Sequence, residues 1–282
     1  GILGSVIGTN DSAPRNCTNS ASVSGSTMVG GIAGDENSGV HVQVYDCINY
    51  GNVSAIGDYV GGICGAKGNL YPERCENHGE VRGNDYVGGI SGRDLSSVID
   101  DCNNFGSVYG RNYVGGISGS GHGRSCVNRG SVTGAEYVGG ISGFTSASPV
   151  TDSDNYGSVK GSAYVGGCIG YAKTQYAPTF SFNNYGKVEG VTDVGGIIGY
   201  LTETGSGIPT VLQCVNDADV TGEENVGGLI GRAKGTFKIS GNSVSSIVSG
   251  IINVGLLVGN SAGTITDDGT NVIEGEVVIL TE

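Results

Sequence analysis

The chain has 282 residues, 55 of them Gly, with 15% charged residues, no Trp and one Met. A disordered chain carries more charge, and a collagen needs Gly at every third position and more Pro than the five present, so both classes are excluded. No apolar run reaches the roughly 18 residues of a transmembrane helix; the net charge of -13, with 12 acids against 3 bases in 189–282, argues against nucleic acid and anionic membranes as partners.

Read in chain order, the sequence is a repeat. Gly1-Ile2-Leu3-Gly4 matches the second half of a motif, Val-Gly-Gly-Ile-x-Gly, that restarts at Val29, Val60, Val87, Val114, Val138, Val165, Val194, Val226 and Val254. Leu229 replaces Ile and Leu256 the second Gly in the last copies. Between these lies a second motif, Cys-x-Asn-x-Gly-x-Val-x-Gly, from Cys17, Cys47, Cys75, Cys102, Cys126, Ser153, Phe182 and Cys214. The step from its first position to the next motif Val is 12 or 13 residues, while the other connection runs from 7 (Gly119 to Cys126) to 15 (Gly199 to Cys214). Pro14, Pro72, Pro149, Pro178 and Pro209 all fall in the variable connection, as expected for a residue kept out of internal ladders.

Short Val/Ile segments separated by Gly, without a 3.6-residue period, read as strands; a period of 20–50 residues reads as a solenoid. The expectation is all-β: a single-stranded parallel β-solenoid (β-helix), taken as right-handed, of nine to ten coils of about 27 residues and on the order of 45 Å long. It forms one domain over 1–282: a first coil entered in mid-motif over 1–28, regular coils over 29–259, and a C-terminal cap over 260–282. The chain is expected to act as a monomer or as part of a longer one.

Equivalent residues then stack. Asn19, Asn49, Asn77, Asn104, Asn128, Asn155, Asn184 and Asn216 form a column whose amides are expected to bond from coil to coil, lapsing at Val244. The Cys column, interrupted by Ser153 and Phe182, reads as small buried hydrophobes rather than disulfides. Cys64 and Cys168 lie outside it, and no CxxC spacing supports zinc. The Gly-Gly pair is expected at a corner of positive φ. Tyr59, Tyr86, Tyr113, Tyr137 and Tyr164 each precede a motif Val and should point outward, stacking on a sugar or on one another. Tyr50, Phe105, Tyr156 and Tyr185 form a patchier set behind the Asn column. Because indels gather in one connection, the 171–182 loop (Tyr171, Tyr176, Phe180) and the 200–213 loop (Tyr200, Leu201, Ile208, Leu212) are further candidate binding patches.

The units Gly62-Ile63-Cys64-Gly65, Gly89-Ile90-Ser91-Gly92 and Gly116-Ile117-Ser118-Gly119 resemble GLUG-motif repeats, and the resemblance spans almost the whole chain. It implies a bacterial surface or secreted protein, adhesin-like, and an extracellular location. The metallopeptidase activity of some GLUG-bearing proteins does not carry over: His41, His78 and His122 are the three histidines and none forms HExxH. The primary expectation is a noncatalytic stalk or adhesive module without cofactor or metal, with a glycan or host surface protein as partner. The alternative is a polysaccharide-degrading β-helix enzyme, since Asp100-Asp101 and Gly121-His122-Gly123 are similar to the paired aspartates and Gly-His-Gly of polygalacturonases. Against it, no Asn-Thr-Asp precedes and no Arg-x-Lys follows, and Asp46, Asp101 and Asp152 share one repeat position.

Overall fold

A computed structural model describes residues 2–6, 14–36, 42–65, 70–146, 151–205 and 207–281; Pro149 lies outside them. Among the described residues the chain is all-β with no helix, wound as a parallel β-solenoid of about nine turns, roughly 28 residues each. A turn is legible in one stretch. Asn103–Asn104 lies in a long sheet, Val108–Tyr109 in a second, Asn112–Gly115 in a third, and Ser118–Arg124 returns to the first. Each strand pairs in parallel with its equivalent one turn away, for example Asn104 with Asn128, Val108 with Val132 and Val114 with Val138. The opening Leu3–Val6 pairs with Ala33–Glu36 and puts Leu3 opposite Ala33, in the motif's own register.

Two cores run along the axis. The motif valines (Val60, Val87, Val114, Val138) pack with the valines of the second sheet (Val53, Val81, Val108, Val132). The motif isoleucines pack with the Cys column, Phe180, Phe182 and Phe237. Between Val and Ile the Gly-Gly pair crosses from one core to the other, and there the Asn amides lie against the backbone. A Cβ on Gly89 would stand 2.3 Å from Asn104 Cγ and 2.1 Å from Gly116 O. The expected positive φ at this pair is not found. The glycines with φ between 63° and 159° are Gly121, Gly235, Gly241, Gly263 and Gly269, so the pair is required by close approach, not by a left-handed turn.

The left-handed positions are elsewhere. The residue before each motif Val has φ of 54–65° (Met28, Tyr59 to Tyr164, then Asp193, Asn225 and Asn253), and several residues before the Cys position are left-handed too, among them Asp46, Asp101 and Asp152 at 50–58°. Asp and Asn tolerate this region, which accounts for the shared aspartates. Pro72 is a correction to its expected exclusion from ladders: it sits inside Leu70–Glu73, opposite Val44. Among the described residues, pairing of that strand with the following turn is at Glu73–Asp100.

All eight cysteines are free thiols, seven of them buried. Burial pushes the thiols of Cys102 and Cys168 up, and that of Cys214 to about 12. Cys64 does have a column, Ala33–Cys64–Ser91, and Cys168 takes the Ile position between Ile141 and Ile197. Residues 258–281 continue the winding. Val258–Asp267, Val272–Ile273 and Glu276–Ile279 add one row to the long and second sheets, and Val272, Ile273, Val277, Ile279 and Leu280 are exposed there.

Candidate functional site

Side chains on this scaffold form ladders because every turn places the same position one strand spacing further along. The Asn ladder is complete. Each Nδ2 from Asn19 to Asn184 donates to the Oδ1 of the next Asn at 2.7–2.9 Å, and also to the carbonyl two residues on in its own turn. At its end Asn216 donates to Ser246 Oγ, while Val244 takes the backbone position. The Cys column continues as Asn242 and Asn271, whose side chains bond to each other; this extension was not visible once Cys itself was lost.

Tyr59, Tyr86, Tyr113, Tyr137 and Tyr164 stack face to face with centroids 4.6–5.1 Å apart and planes within 14° of parallel. The interior rings therefore spend both faces on each other and show solvent only edges and hydroxyls. A sugar cannot stack on them. Burial raises the phenol of Tyr137 to about 12, so it stays protonated at ordinary pH. A neighbouring column, Ser120–Phe144–Tyr171–Tyr200–Arg232 in register, leans on the row. Tyr171 lies 5.1 Å from Tyr200, and Tyr200 lies 5.7 Å from Tyr164. Arg93 covers Tyr86 and Arg232 covers Tyr200 as cation–π caps.

Beyond Tyr164 the row turns polar. Asp193 takes the tyrosine position with its carboxyl buried, accepts from Asn225 Nδ2 at 2.7 Å, and has its pKa raised by burial. Asn253 and Asn260 both donate to Asn225 Oδ1.

The patchier aromatic set is a second continuous ladder. His78 stacks between Tyr50 and Phe105 (4.8 and 4.5 Å), and Tyr156 stacks on Tyr185 at 4.8 Å. Arg129 bridges Phe105 and Tyr156, its guanidinium carbon 5.4 Å from each ring. His78 and Arg129 were legible only by position, as the residue after Asn77 and Asn128. This ladder is the more open one: Tyr50 is 52% and Tyr156 47% exposed.

The residues of the enzymatic alternative are placed separately. Asp100 is held by Arg124 (Nε to Oδ1 3.0 Å, Nη2 to Oδ2 2.5 Å), which keeps its carboxyl below the usual range. Asp101 is exposed at a left-handed corner. His122 bonds through Nδ1 to Thr145 Oγ1 at 2.8 Å, and burial lowers its pKa. A shallow depression includes Asp100 and Arg124 with Gln43, Tyr71, Pro72, Glu73 and Val98, but neither Asp101 nor His122.

The two candidate loops need correction. Phe180 lies in the strand Thr179–Asn184 and Leu201 in Ile198–Glu203, and both point into the core because the strands continue further than expected. Tyr176 and Ile208 are exposed, Tyr171, Tyr200 and Leu212 partly so. Among the described residues no group of three or more His, Cys, Asp or Glu is placed to hold a metal ion, and no helix is long and apolar enough to cross a membrane. No family model, curated protein or solved structure matches this chain.

Proposed function

We propose that the chain is a noncatalytic segment of a bacterial surface or secreted protein of the GLUG-repeat kind, working outside the cell as a stalk that carries an adhesive face for a glycan or host surface protein. The observation that supports this best is the ladder organisation itself. A rod whose inner amides and outer rings are each satisfied by the next turn is stiff, and it repeats its surface chemistry at a fixed pitch. Engagement of Asp100 by Arg124 speaks against the paired acid and base of a glycosidase, which must exchange protons with a substrate.

The test sets binding against turnover. The intact chain is passed over an array of glycans and host surface proteins, and the same glycans are incubated with it and assayed for released reducing sugar. Retention without release is expected. Release that disappears in Asp100→Asn, Asp101→Asn or His122→Ala would establish the enzyme instead.

A further inference from the structure

We propose that the face built by three successive turns around Arg129, Ser131, Ser158 and Lys160 binds an acidic glycan, one carrying carboxylate or sulfate groups. This rests on the adhesive reading above and names its ligand class.

The starting point is charge. Acids outnumber bases 27 to 14 in the chain, yet outward positions at 105–109, 129–133 and 156–160 hold no carboxylate. Val108, Val132 and Val159 point inward there, so the residues on either side of each face solvent. What they present is hydroxyls (Ser107, Ser131, Thr133, Ser158), exposed ring edges (Phe105, Tyr156) and two cations. Ser131 Oγ donates to Ser107 Oγ at 2.9 Å.

Arg129 is held between Phe105 and Tyr156, and among the described residues no carboxylate pairs with it. Lys160 shares the carboxylate of Glu189 with Lys187, at 3.3 and 2.5 Å. The carboxylate of Asp219 also acts on Lys187, so among the described residues the cation of this face left without a carboxylate is Arg129. The neighbouring acids are otherwise placed. Glu80 is paired with Arg82, and Asp154 accepts from Asn183 Nδ2.

The surface here is also concave. A depression of about 280 Å³ is lined by Ser131, Thr133, Ser158, Val159, Lys160, Lys187 and Glu189. Clustered hydroxyls suit sugar hydroxyls, ring edges suit the C–H faces of a sugar, and the two cations suit an anionic substituent; a guanidinium can take a carboxylate or sulfate through two parallel hydrogen bonds. Because the platform is a β-ladder, the groups are fixed before the ligand arrives, which lowers the ordering cost of binding.

The intact chain is titrated with oligogalacturonate, dextran sulfate, neutral dextran and a single-stranded DNA oligonucleotide. At least one of the two acidic glycans is expected to bind about tenfold tighter than dextran, and Arg129→Gln and Lys160→Gln each to lose about tenfold, the scale of one charged hydrogen bond. Lys173→Ala, an exposed cation on the long sheet, should bind as the parent does. Unchanged melting temperatures certify that the variants are folded. Acidic glycans bound no better than dextran, affinity unaltered in both Gln variants, or tighter binding of the DNA would each overturn the proposal. Of these outcomes, retention of neutral glycans alone leaves the adhesive reading standing. Failure of that reading shows separately, as sugar release.

Discussion

Each Asn of the inner ladder serves two bonds with one amide. Asn104 Nδ2 donates to Gly106 O in its own turn and to Asn128 Oδ1 in the next, while its Oδ1 accepts from Asn77. The side chain is fully buried, so removing it strands partners on both sides where water cannot replace them. Asn104→Ala should cost about 3 kcal/mol in urea denaturation, from two or more buried groups left unpaired. Asn19→Ala, at the start of the ladder with one neighbouring rung, should cost about 1 kcal/mol. Equal costs would mean that the ladder does not carry its bonds from turn to turn. At this scale the sequence was largely readable, because an Asn recurring eight times in phase has few other uses. The outer rings were less so. Tyr in a left-handed conformation costs ~1–2 kcal/mol, and stacking contributes ~0.5–1.5 kcal/mol per pair beyond burial. Only coordinates show that the rings meet face to face and so withhold their faces from ligands.

Gly-Gly marks the element where the two cores are divided. In Gly116 a Cβ would stand 2.1 Å from Gly140 O and 2.3 Å from Asn128 Cγ, so Gly116→Ala must displace either the backbone or the ladder, at about 3 kcal/mol. Gly123 lies in the strand Ser118–Arg124, where an added methyl would find its nearest neighbour at 3.4 Å; Gly123→Ala should change stability by less than about 0.5 kcal/mol. Thermal or urea melts of the two variants check this, and similar losses in both would contradict the steric account. In the last copies the contact changes: a Cβ on Gly228 would stand 2.8 Å from Val244 Cγ1 and 2.1 Å from Leu256 O. Val244 replaces the Asn amide, and Leu256 takes the position of the second Gly in the next copy. Which strands would run on into the variable connections was not readable, since Phe180 and Leu201 look alike in a loop and in a strand until the neighbouring turn is placed beside them.

For the whole molecule, closure of the two cores makes a direct prediction. Cys47, Cys64, Cys75, Cys102, Cys126, Cys168 and Cys214 are buried and Cys17 partly exposed. A thiol reagent should modify no more than one cysteine per native chain and all eight after denaturation. With no disulfide to break, reductant should leave the melting temperature unchanged. Rapid modification of several native thiols would mean that the turns open. Repeat period, strand character, the Asn and Val columns and the location of indels were determined by the sequence alone, because a solenoid maps period directly onto space: residues about 28 apart must be neighbours. Tertiary structure decided what period cannot express. Left-handed geometry belongs to the residues before Val and before the Cys position and not to the Gly-Gly pair. His78 and Arg129 complete an aromatic column of a different residue type. Asp100 pairs with Arg124, and the face around Arg129, Ser131, Ser158 and Lys160 emerges from three turns set side by side. Those facts depend on how outward side chains of adjacent turns pair, and a linear repeat records their positions without recording which atoms meet.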